Sequence, residues 1–141
     1  DGSRYLGDLS RYDPSIGHWE PLPLGGGPSA RAQMGVASEG TSVFVLFGAS
    51  SQGNFNDFYE LDASADPPVW RNLGAAATGD IPPGRTDPGV AAIGGSVYVF
   101  GGLVKLGTYA SDLRRYDTSA GAWTDLSSTP NGPSGRHRFV F

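Results

Sequence analysis

Short runs of alternating apolar and polar residues, separated by clusters of Gly, Pro, Asp and Ser, follow one another along the 141-residue chain. This alternation is typical of β-strands, and no stretch carries an apolar period of 3.6 residues long enough for an α-helix. The pattern therefore predicts an all-β fold. We place eleven strands at residues 8–13, 17–22, 34–39, 42–48, 57–62, 69–73, 88–93, 95–101, 112–117, 122–126 and 136–141.

Two of these runs are almost continuously apolar. Each run contains consecutive large apolar residues, Val, Tyr, Leu or Phe, and then ends in small residues. The two stretches are GTSVFVLFGA (40–49) and GGSVYVFGG (94–102). Continuous β-branched and aromatic residues indicate strands that are buried on both faces. The small residues Gly48-Ala49 and Gly101-Gly102 then allow the backbone to turn, since glycine reaches positive φ without a steric penalty.

The chain repeats itself with a period of about 50 residues. Three segments align as DLSRYDPSIGHW (8–19), DFYELDASADPPVW (57–70) and DLRRYDTSAGAW (112–123). Their leading aspartates lie 49 and 55 residues apart, and their tryptophans lie 51 and 53 residues apart. A unit of this length with four short strands has the size of one blade of a β-propeller.

The repeats resemble those of the kelch family over essentially the whole chain. The family's glycine pair, aromatic residue, tryptophan and arginine-bearing lead into the first strand all have counterparts. Two departures, Ala49 for the second glycine and Leu61 for the aromatic residue, make the middle unit the less regular one. The matching positions are Gly48, Gly101, Gly102, Tyr12, Tyr116, Trp19, Trp70, Trp123, Arg31, Arg85 and Arg136.

The resemblance implies a kelch-type propeller segment of four-stranded antiparallel blades in an incomplete ring. It places the last two strands of one blade at residues 1–22, complete blades at 23–73 and 74–126, and the first strand of a further blade at 127–141. Fewer than three blades cannot close a ring. We favour a segment of a longer protein, completed by its remaining blades. A partner chain, including a second copy in a homodimer, is the less favoured alternative.

Composition narrows the classes of partner. With 10 basic against 14 acidic residues and a net charge of −4, the chain lacks the clustered positive charge that nucleic acids and anionic membranes attract. No run approaches the ~20 apolar residues that span a bilayer, so we expect no membrane insertion. The absence of cysteine excludes disulfides and thiolate metal sites. No signal segment is visible, which leaves the compartment open, with the cytoplasm slightly favoured.

The sequence gives little sign of catalysis. The aspartate pairs 8/13, 57/62 and 112/117 recur in every repeat, whereas catalytic groups are unique within a fold, so we interpret these aspartates as turn-forming residues. The two histidines, His18 and His137, have no neighbours at metal-ligand spacing and are expected on strand surfaces. We therefore predict no catalytic residue, no metal site and no cofactor.

The positions that vary between repeats are the candidates for partner binding. Arg138 has no counterpart, because Gln33 and Asp87 occupy the matching places, and it could anchor an acidic partner residue. Its alternative interpretation is an ordinary surface arginine. The loops 49–57 and 102–111 also differ, and loops that vary on a repeated frame carry specificity. Their candidate contact residues are Phe55, Leu103, Leu106 and Tyr109. The recurring arginines are expected to be structural, bonding backbone carbonyls between blades.

These observations favour a non-catalytic protein-interaction or scaffolding module with a protein partner. One alternative is part of a kelch-like enzyme of the oxidase, lyase or mutarotase type. Another is a carbohydrate-binding propeller that uses exposed Trp or Tyr, which weakens if the three tryptophans are buried.

Overall fold

The computed structural model describes residues 4–23 and 25–139, and within these residues the protein consists of strands, turns and loops. None of the described residues lies in a helix of the length and hydropathy needed to cross a membrane. The described part of the chain contains fifteen strands: β1 (Leu9–Asp13), β2 (His18–Leu22), β3 (Gly35–Glu39), β4 (Ser42–Leu46), β5 (Ala49–Ser50), β6 (Gly53–Asn54), β7 (Phe58–Asp62), β8 (Val69–Asn72), β9 (Thr78–Gly79), β10 (Gly89–Ile93), β11 (Ser96–Phe100), β12 (Leu103–Lys105), β13 (Thr108–Tyr109), β14 (Leu113–Asp117) and β15 (Ala122–Asp125).

Two four-stranded antiparallel units form the body of the molecule. We call the sheet β3-β4-β7-β8 the first blade and the strands β10-β11-β14-β15 the second blade, to which β9 adds in parallel beside β15. A leading hairpin, β1-β2, precedes them. The pairs β5-β6 and β12-β13 form two further hairpins, which we call the first and second loop hairpins. The all-β, antiparallel prediction is confirmed.

Ten of the eleven predicted strands coincide with observed strands to within two residues at either end. The sequence missed β5, β6, β9, β12 and β13, because strands of two or three residues are too short to show alternation. The strand predicted at 136–141 is wrong for its described part, since residues 136–139 lie outside any strand. Residues 140 and 141 lie outside the described part. Residues 136–139 form no strand because the segment that follows each recurring arginine is bent. In the same way, Arg31 and Arg85 lie four residues before the first strand of their blades.

The pairing of the strands shows that the sequence alignment of the glycine pair was wrong by one residue. Gly35 pairs with Leu46 and Gly89 pairs with Phe100, so the structural counterpart of Gly101-Gly102 is Phe47-Gly48, one residue earlier than Gly48-Ala49. Phe47 and Gly101 have φ of 60° and 64°, and Gly48 and Gly102 have φ of 88° and 96°. Phe47 therefore takes a left-handed conformation that bulky residues rarely adopt.

Glycine is required at the second place of the pair. A Cβ on Gly48 would lie 2.7 Å from the carbonyl oxygen of Ala32, and one on Gly102 would lie 2.9 Å from that of Thr86. Both neighbours are backbone atoms that cannot give way without moving a strand. The crowding explains why this position is Gly in both blades. The first place is crowded by the Arg136 carbonyl in the second blade, at Gly101, whereas in the first blade it is occupied by Phe47.

The core lies between the two blades. Phe58 of the first blade contacts Tyr116 of the second edge-on, with ring centroids 4.7 Å apart, and Trp123 at 5.7 Å. Phe44 joins this cluster from β4. The close approach extends to Gly35, whose missing Cβ leaves the space that the Val90 side chain occupies. Removing a buried aromatic ring of this kind costs about 3–5 kcal/mol, so the cluster is a main source of cohesion between the blades.

A carboxylate links the blades at the opposite end of these strands. Glu39, at the end of β3, accepts hydrogen bonds from the backbone N–H groups of Gly94 and Gly95 at 2.7 and 3.0 Å. These glycines form the turn between β10 and β11. The two blades are therefore tied together at the turn as well as through the core.

The three tryptophans are not equally enclosed. Trp123 is 4% exposed, Trp70 is half-buried, and Trp19 in the leading hairpin is 63% exposed beside the ring of Tyr12. Among the described residues, Trp19 therefore does not pack between blades as Trp123 does. Trp123 is buried because the first blade lies against it, whereas no described segment covers Trp19 in that way.

The second aspartate of each pair closes a turn. Asp13, Asp62 and Asp117 each accept hydrogen bonds from the backbone N–H and the hydroxyl of the serine two residues later, with N–O distances of 2.8–3.0 Å. The serine hydroxyl bond, followed by the backbone bonds, lowers the pKa of each of these carboxyls below its ordinary value. The geometry is that of an Asx turn, in which the aspartate organises its own backbone.

The first aspartate holds a buried arginine. Arg85, which is 0% exposed, donates from its guanidinium to the Asp112 carboxylate, with Nη2 2.9 Å from Oδ2. It also donates to the carbonyl oxygens of Gly101 at 2.9 Å and Pro83 at 3.1 Å. Arg31, 6% exposed, repeats this arrangement in the first blade with Asp57, where Nη2 lies 2.7 Å from Oδ2.

The hydrogen bonds between blades do not come from the arginine side chains, as was expected. The carbonyls that accept from the side chains of Arg31 and Arg85 belong to the arginine's own blade. The link between blades runs through the arginine backbone instead: Gly48 N–H donates to the Arg85 carbonyl at 2.9 Å, and Gly102 N–H donates to the Arg136 carbonyl at 2.8 Å. The side chain of Arg136 is exposed and donates from Nε to the Ser134 carbonyl at 3.0 Å.

The carboxylate of Asp112 is kept ionised by its partners. Burial raises its pKa, but the hydrogen bonds and charges of Arg85 and Arg114 outweigh burial, and the pKa lies below its ordinary value. As the pH falls, Asp112 therefore becomes protonated in the unfolded chain before it does so in the folded protein. The ionised pair thus stabilises the fold above the ordinary carboxyl pKa of ~3.9. This contribution is lost as the pH falls further, through the lowered pKa of the folded state.

We predict that Asp112→Asn lowers the free energy of unfolding by about 3 kcal/mol at pH 7, because it leaves the Arg85 charge buried without a counter-ion. Urea unfolding followed by circular dichroism measures the change. The variant should also lose less stability than the wild type between pH 5 and 2, since one of the linked carboxyls is gone.

The matched control is Asp8→Asn. Asp8 occupies the same place in the first repeat and is exposed, so its substitution should change the free energy of unfolding by no more than about 0.5 kcal/mol. Equal urea midpoints for the two variants would show that the buried pair adds nothing to stability.

Candidate functional site

One face of the molecule collects the segments that differ between the repeats. In each blade the first strand starts, and the second strand ends, at the same edge, because the two are antiparallel. The segments before β3 and β10 and the loop hairpins after β4 and β11 therefore emerge together. We call this the loop face, and the opposite edge, with the turns at 40–41 and 94–95, the turn face. The predicted partner-binding residues Phe55, Leu103, Leu106, Tyr109 and Arg138 all lie on segments of the loop face.

The second loop hairpin presents an apolar tip. Lys105 pairs with Thr108, so Leu106 and Gly107 form a two-residue turn, and Gly107 has the positive φ of 76° that such turns need. Leu106 is 97% exposed at this tip. Tyr109, at the end of the same hairpin, is 48% exposed.

The first loop hairpin has a polar tip instead. Its turn residues are Ser51 and Gln52, and the Gln52 backbone N–H donates to the Ser50 hydroxyl at 3.1 Å. The two hairpins thus share a position on the repeated frame and differ in chemistry, one polar and the other apolar.

The second loop hairpin is fixed at its base. Leu103 exchanges two backbone hydrogen bonds with Thr86, at 2.8 and 3.0 Å. From the neighbouring hairpin, the Asn54 side-chain amide donates to the carbonyls of Leu103 at 3.3 Å and Val104 at 2.9 Å. Leu103 itself is half-buried, so it contributes position more than contact area. Sequence reasoning missed Asn54, because a single loop asparagine gives no signal of which carbonyl it will reach.

Phe55 contacts other residues of its own chain. The guanidinium carbon of Arg31 lies 4.2 Å from the centroid of the Phe55 ring, a cation–π contact. Its backbone N–H donates to the Gly48 carbonyl at 2.8 Å. The side chain is half-buried, so one face of the ring covers the buried ion pair and only its remaining surface faces solvent.

Tyr109 stacks on His137. Their ring centroids are 4.7 Å apart with an interplanar angle of 20°. His137 is half-buried in a segment, residues 132–139, that lies outside any strand, so it does not lie on a strand surface as expected from the sequence. The stack makes a flat aromatic surface beside the second loop hairpin and restrains Tyr109.

Three left-handed residues form a polar ladder. Gln33, Asp87 and Arg138 each follow a recurring arginine by two residues and have φ of 58°, 49° and 53°. Asp87 N–H donates to the Gln33 carbonyl at 2.9 Å, and Arg138 N–H donates to the Asp87 carbonyl at 3.3 Å. The Asp87 carboxylate accepts from the Gln33 amide at 2.7 Å and from Arg138 Nε at 3.3 Å.

The ladder places Arg138 beside an acidic residue of its own chain. The side chains of Arg138 and Asp87 are 67% and 15% exposed. Because the Arg138 side chain is exposed to solvent, it can exchange Asp87 for another carboxylate at little cost. The sequence identified these three places as equivalent but did not show that Asp87 would pair with Arg138.

Among residues 4–23 and 25–139, no cluster of three or more His, Cys, Asp or Glu side chains could hold a metal ion. The features of the loop face are the apolar tip of the second loop hairpin, the stack of Tyr109 on His137, and the polar ladder.

Comparison with known proteins identifies the repeat. A family model described as the KLHDC2/KLHL20/DRC7 Kelch-repeats domain matches residues 1–141. Host cell factor 2 of Homo sapiens is 28% identical over 123 residues, which cover 86% of this chain and 15% of that protein. Adagio-like protein 1 of Oryza sativa subsp. japonica is 33% identical over 118 residues, which cover 79% of this chain and 18% of that protein.

A third relative is named as an enzyme, N-(sulfonatooxy)prop-2-enimidothioate sulfolyase of Thlaspi arvense. It is 29% identical over 126 residues, which cover 84% of this chain and 36% of that protein. The chain therefore spans less than two fifths of the length of each of these relatives. The match over the whole chain and the two four-stranded antiparallel blades show that this chain belongs to the kelch-repeat family and forms part of a kelch β-propeller.

Proposed function

We propose that the chain is a non-catalytic protein-interaction module that binds a protein partner through its loop face. The observation that carries the proposal is Leu106, 97% exposed at the tip of a hairpin whose base is fixed to both blades. A rigid apolar tip loses little conformational entropy on binding, which favours affinity. Tyr109, held by its stack on His137, extends the same surface with an aromatic side chain, a type enriched at interface centres.

The polar ladder supports an acidic group on the partner. Arg138 is the exposed cation of the ladder, and its guanidinium offers a planar fork that fits a carboxylate. Asp87 competes for it within the chain. We infer that a partner carboxylate replaces Asp87 as the counter-ion of Arg138 while an apolar segment of the partner covers Leu106.

A photo-crosslinking amino acid at position 106 should capture the partner when it is introduced into the chain as its source organism makes it. The matched control is position 93, because Ile93 is an aliphatic residue, 66% exposed, that lies at the turn face. We expect a discrete crosslinked product from position 106 and none from position 93. Leu106→Asp should weaken partner affinity by about tenfold, and Ile93→Asp should leave it unchanged. Equal crosslinking at both positions would contradict binding at the loop face.

The acidic character of the partner is tested by two substitutions with opposite effects. Arg138→Ala should weaken binding several-fold and reduce its salt dependence, because it removes the cation. Asp87→Asn should strengthen binding, because it removes the competing carboxylate and because asparagine tolerates the left-handed backbone. Isothermal titration at two salt concentrations measures both effects. A weaker affinity for both variants would mean that the ladder acts only as structure.

The relative named as a sulfolyase favours enzymatic function as the second candidate. Its name describes cleavage of a sulfonatooxy compound, so inorganic sulfate release from that compound, measured with and without the purified chain, tests this candidate directly. Sulfate release above the uncatalysed rate would favour an enzyme. Of the three tryptophans, only the exposed Trp19 supports the carbohydrate-binding alternative, since Trp70 is half-buried and Trp123 is buried.

A further inference from the structure

The second blade has a fifth strand along its outer side. β9 runs parallel to β15, and its Thr78 N–H donates to the Gly121 carbonyl at 3.1 Å. The Asp80 N–H donates to the Trp123 carbonyl at 3.1 Å, and the Asp80 carboxylate accepts from the Asp125 N–H at 3.2 Å. The backbone groups that β15 directs away from β14 are thereby paired with the segment that precedes the blade.

The first blade leaves the equivalent groups unpaired. β8 is the outermost strand of its sheet, and Trp70 and Asn72 occupy the places of Trp123 and Asp125 in the pairing with the strand before. Among the described residues, none bonds to the Trp70 carbonyl or to the Asn72 N–H in the way that β9 bonds in the second blade. We call this side of β8 the open edge. Unpaired donors and acceptors along a strand are a template on which another extended segment can pair.

The chain's own segment beside the open edge does not bond to it. A Cβ on Gly79 would overlap the carbonyl oxygen of Trp123, whereas one on Gly26 would lie 3.8 Å from that of Trp70. The two glycines have φ of 79° and 80°, so the segments share a conformation, but the one at residues 25–27 lies farther from its strand. Because residues 25–27 are all glycine and make no backbone hydrogen bond with any described residue, an incoming strand can displace them at little cost.

An unpaired polar atom lies at the same place. The indole Nε1 of Trp70 is buried and has no hydrogen-bond partner in the described part of the chain. A Cβ on Gly27 would lie 2.8 Å from it, so the backbone of this glycine faces the indole N–H. A buried donor without an acceptor is unfavourable, and a segment that brings a carbonyl oxygen to this place would relieve that cost.

β9 shows which segment fits such an edge. The residue beside the tryptophan carbonyl has to be glycine, because a Cβ at Gly79 would overlap that oxygen. The next residue is acidic, since the Asp80 carboxylate accepts the outward N–H of Asp125. In the first blade, Gly27 occupies the place of Asp80 and brings no carboxylate to the Asn72 N–H. Asn72 is also neutral where Asp125 is charged, so the open edge repels an incoming carboxylate less.

We propose that the open edge binds an extended segment of a partner protein as a fifth strand, parallel to β8, and that this segment carries a glycine followed by an acidic residue. The glycine lies beside the Trp70 carbonyl, and the N–H of the acidic residue donates to that carbonyl. Its carboxylate accepts the hydrogen bond of the Asn72 N–H. The open edge belongs to the first blade alone and is separate from the loop face, so this proposal does not depend on binding at the loop face.

A peptide with blocked termini and the sequence of residues 75–82 is the probe, because it contains the β9 segment. It is titrated into the 141-residue chain and followed by nuclear magnetic resonance. We expect the backbone signals of Trp70 and Asn72, and the indole signal of Trp70, to shift. The backbone signals of Trp123 and Asp125 serve as the internal control and should stay in place, because β9 already covers them.

Matched variants define the contact. Gly79→Ala in the peptide should weaken binding by about tenfold, because the added Cβ meets the Trp70 carbonyl. In the chain, Asn72→Pro removes the N–H that the carboxylate needs and should abolish the shifts. Asn72→Ala loses the same side-chain bonds to Tyr59 and Ala75 but keeps the N–H, so it should bind the peptide as the wild type does. Circular dichroism spectra and urea midpoints check that both chain variants are folded.

Three results would overturn the proposal. A titration in which Trp70 and Asn72 do not shift would mean that the open edge accepts no strand. Equal binding of the peptide and its Gly79→Ala variant would mean that the peptide does not lie along β8 as β9 lies along β15. Signals of Trp70 and Asn72 that change with the concentration of the chain alone would assign the open edge to a second copy instead of a partner segment.

Discussion

A buried guanidinium shared by three backbone segments is the interaction on which the loop face depends. Arg85 bonds the segment before its own strand through Pro83, the end of β11 through Gly101 and the start of β14 through Asp112. Burying a charge is costly unless every donor finds a partner. The pair therefore tolerates little displacement of any of the three segments. Both loop hairpins begin next to such a fixed point.

The same frame accepts different side chains around it. Phe55 and Ala110 occupy equivalent places, since their N–H groups donate to Gly48 and Gly102 at 2.8 and 2.9 Å. Among the described residues, only the first blade thus has an aromatic ring from its own loop hairpin over its arginine. In the second blade, Arg85 lies 5.6 Å from the ring centroid of Phe47, which comes from the neighbouring blade. Both blades share the same backbone arrangement and the same buried ion pair, but the aromatic ring that packs on the arginine comes from a different segment in each.

The sequence predicted the strands that are long enough to show alternation, and it missed the shortest strands and the contacts between distant segments. Alternation located ten strands to within two residues, because burial on a sheet imposes a period of two over five residues. The short strand β9 pairs with β15 only through Gly79 and its neighbour Thr78, a contact between distant segments that no local pattern encodes. Of the candidate site, the variable loops and Arg138 were found as departures from the repeat. The partners of Arg138 and Tyr109 were not, because they lie 51 and 28 residues away and meet only in the folded chain.

The left-handed residues of the ladder show how backbone and side chain divide their roles. A non-glycine residue in this conformation costs about 1 kcal/mol, and the three members of the ladder, Gln33, Asp87 and Arg138, each carry that cost. The backbone hydrogen bonds between successive members offset the cost, since each links one segment to the next. The conformation is therefore maintained by the backbone, whichever side chain is present. A neutral amide, a carboxylate and a guanidinium can follow one another on one backbone path, so this position can change its charge without changing the fold.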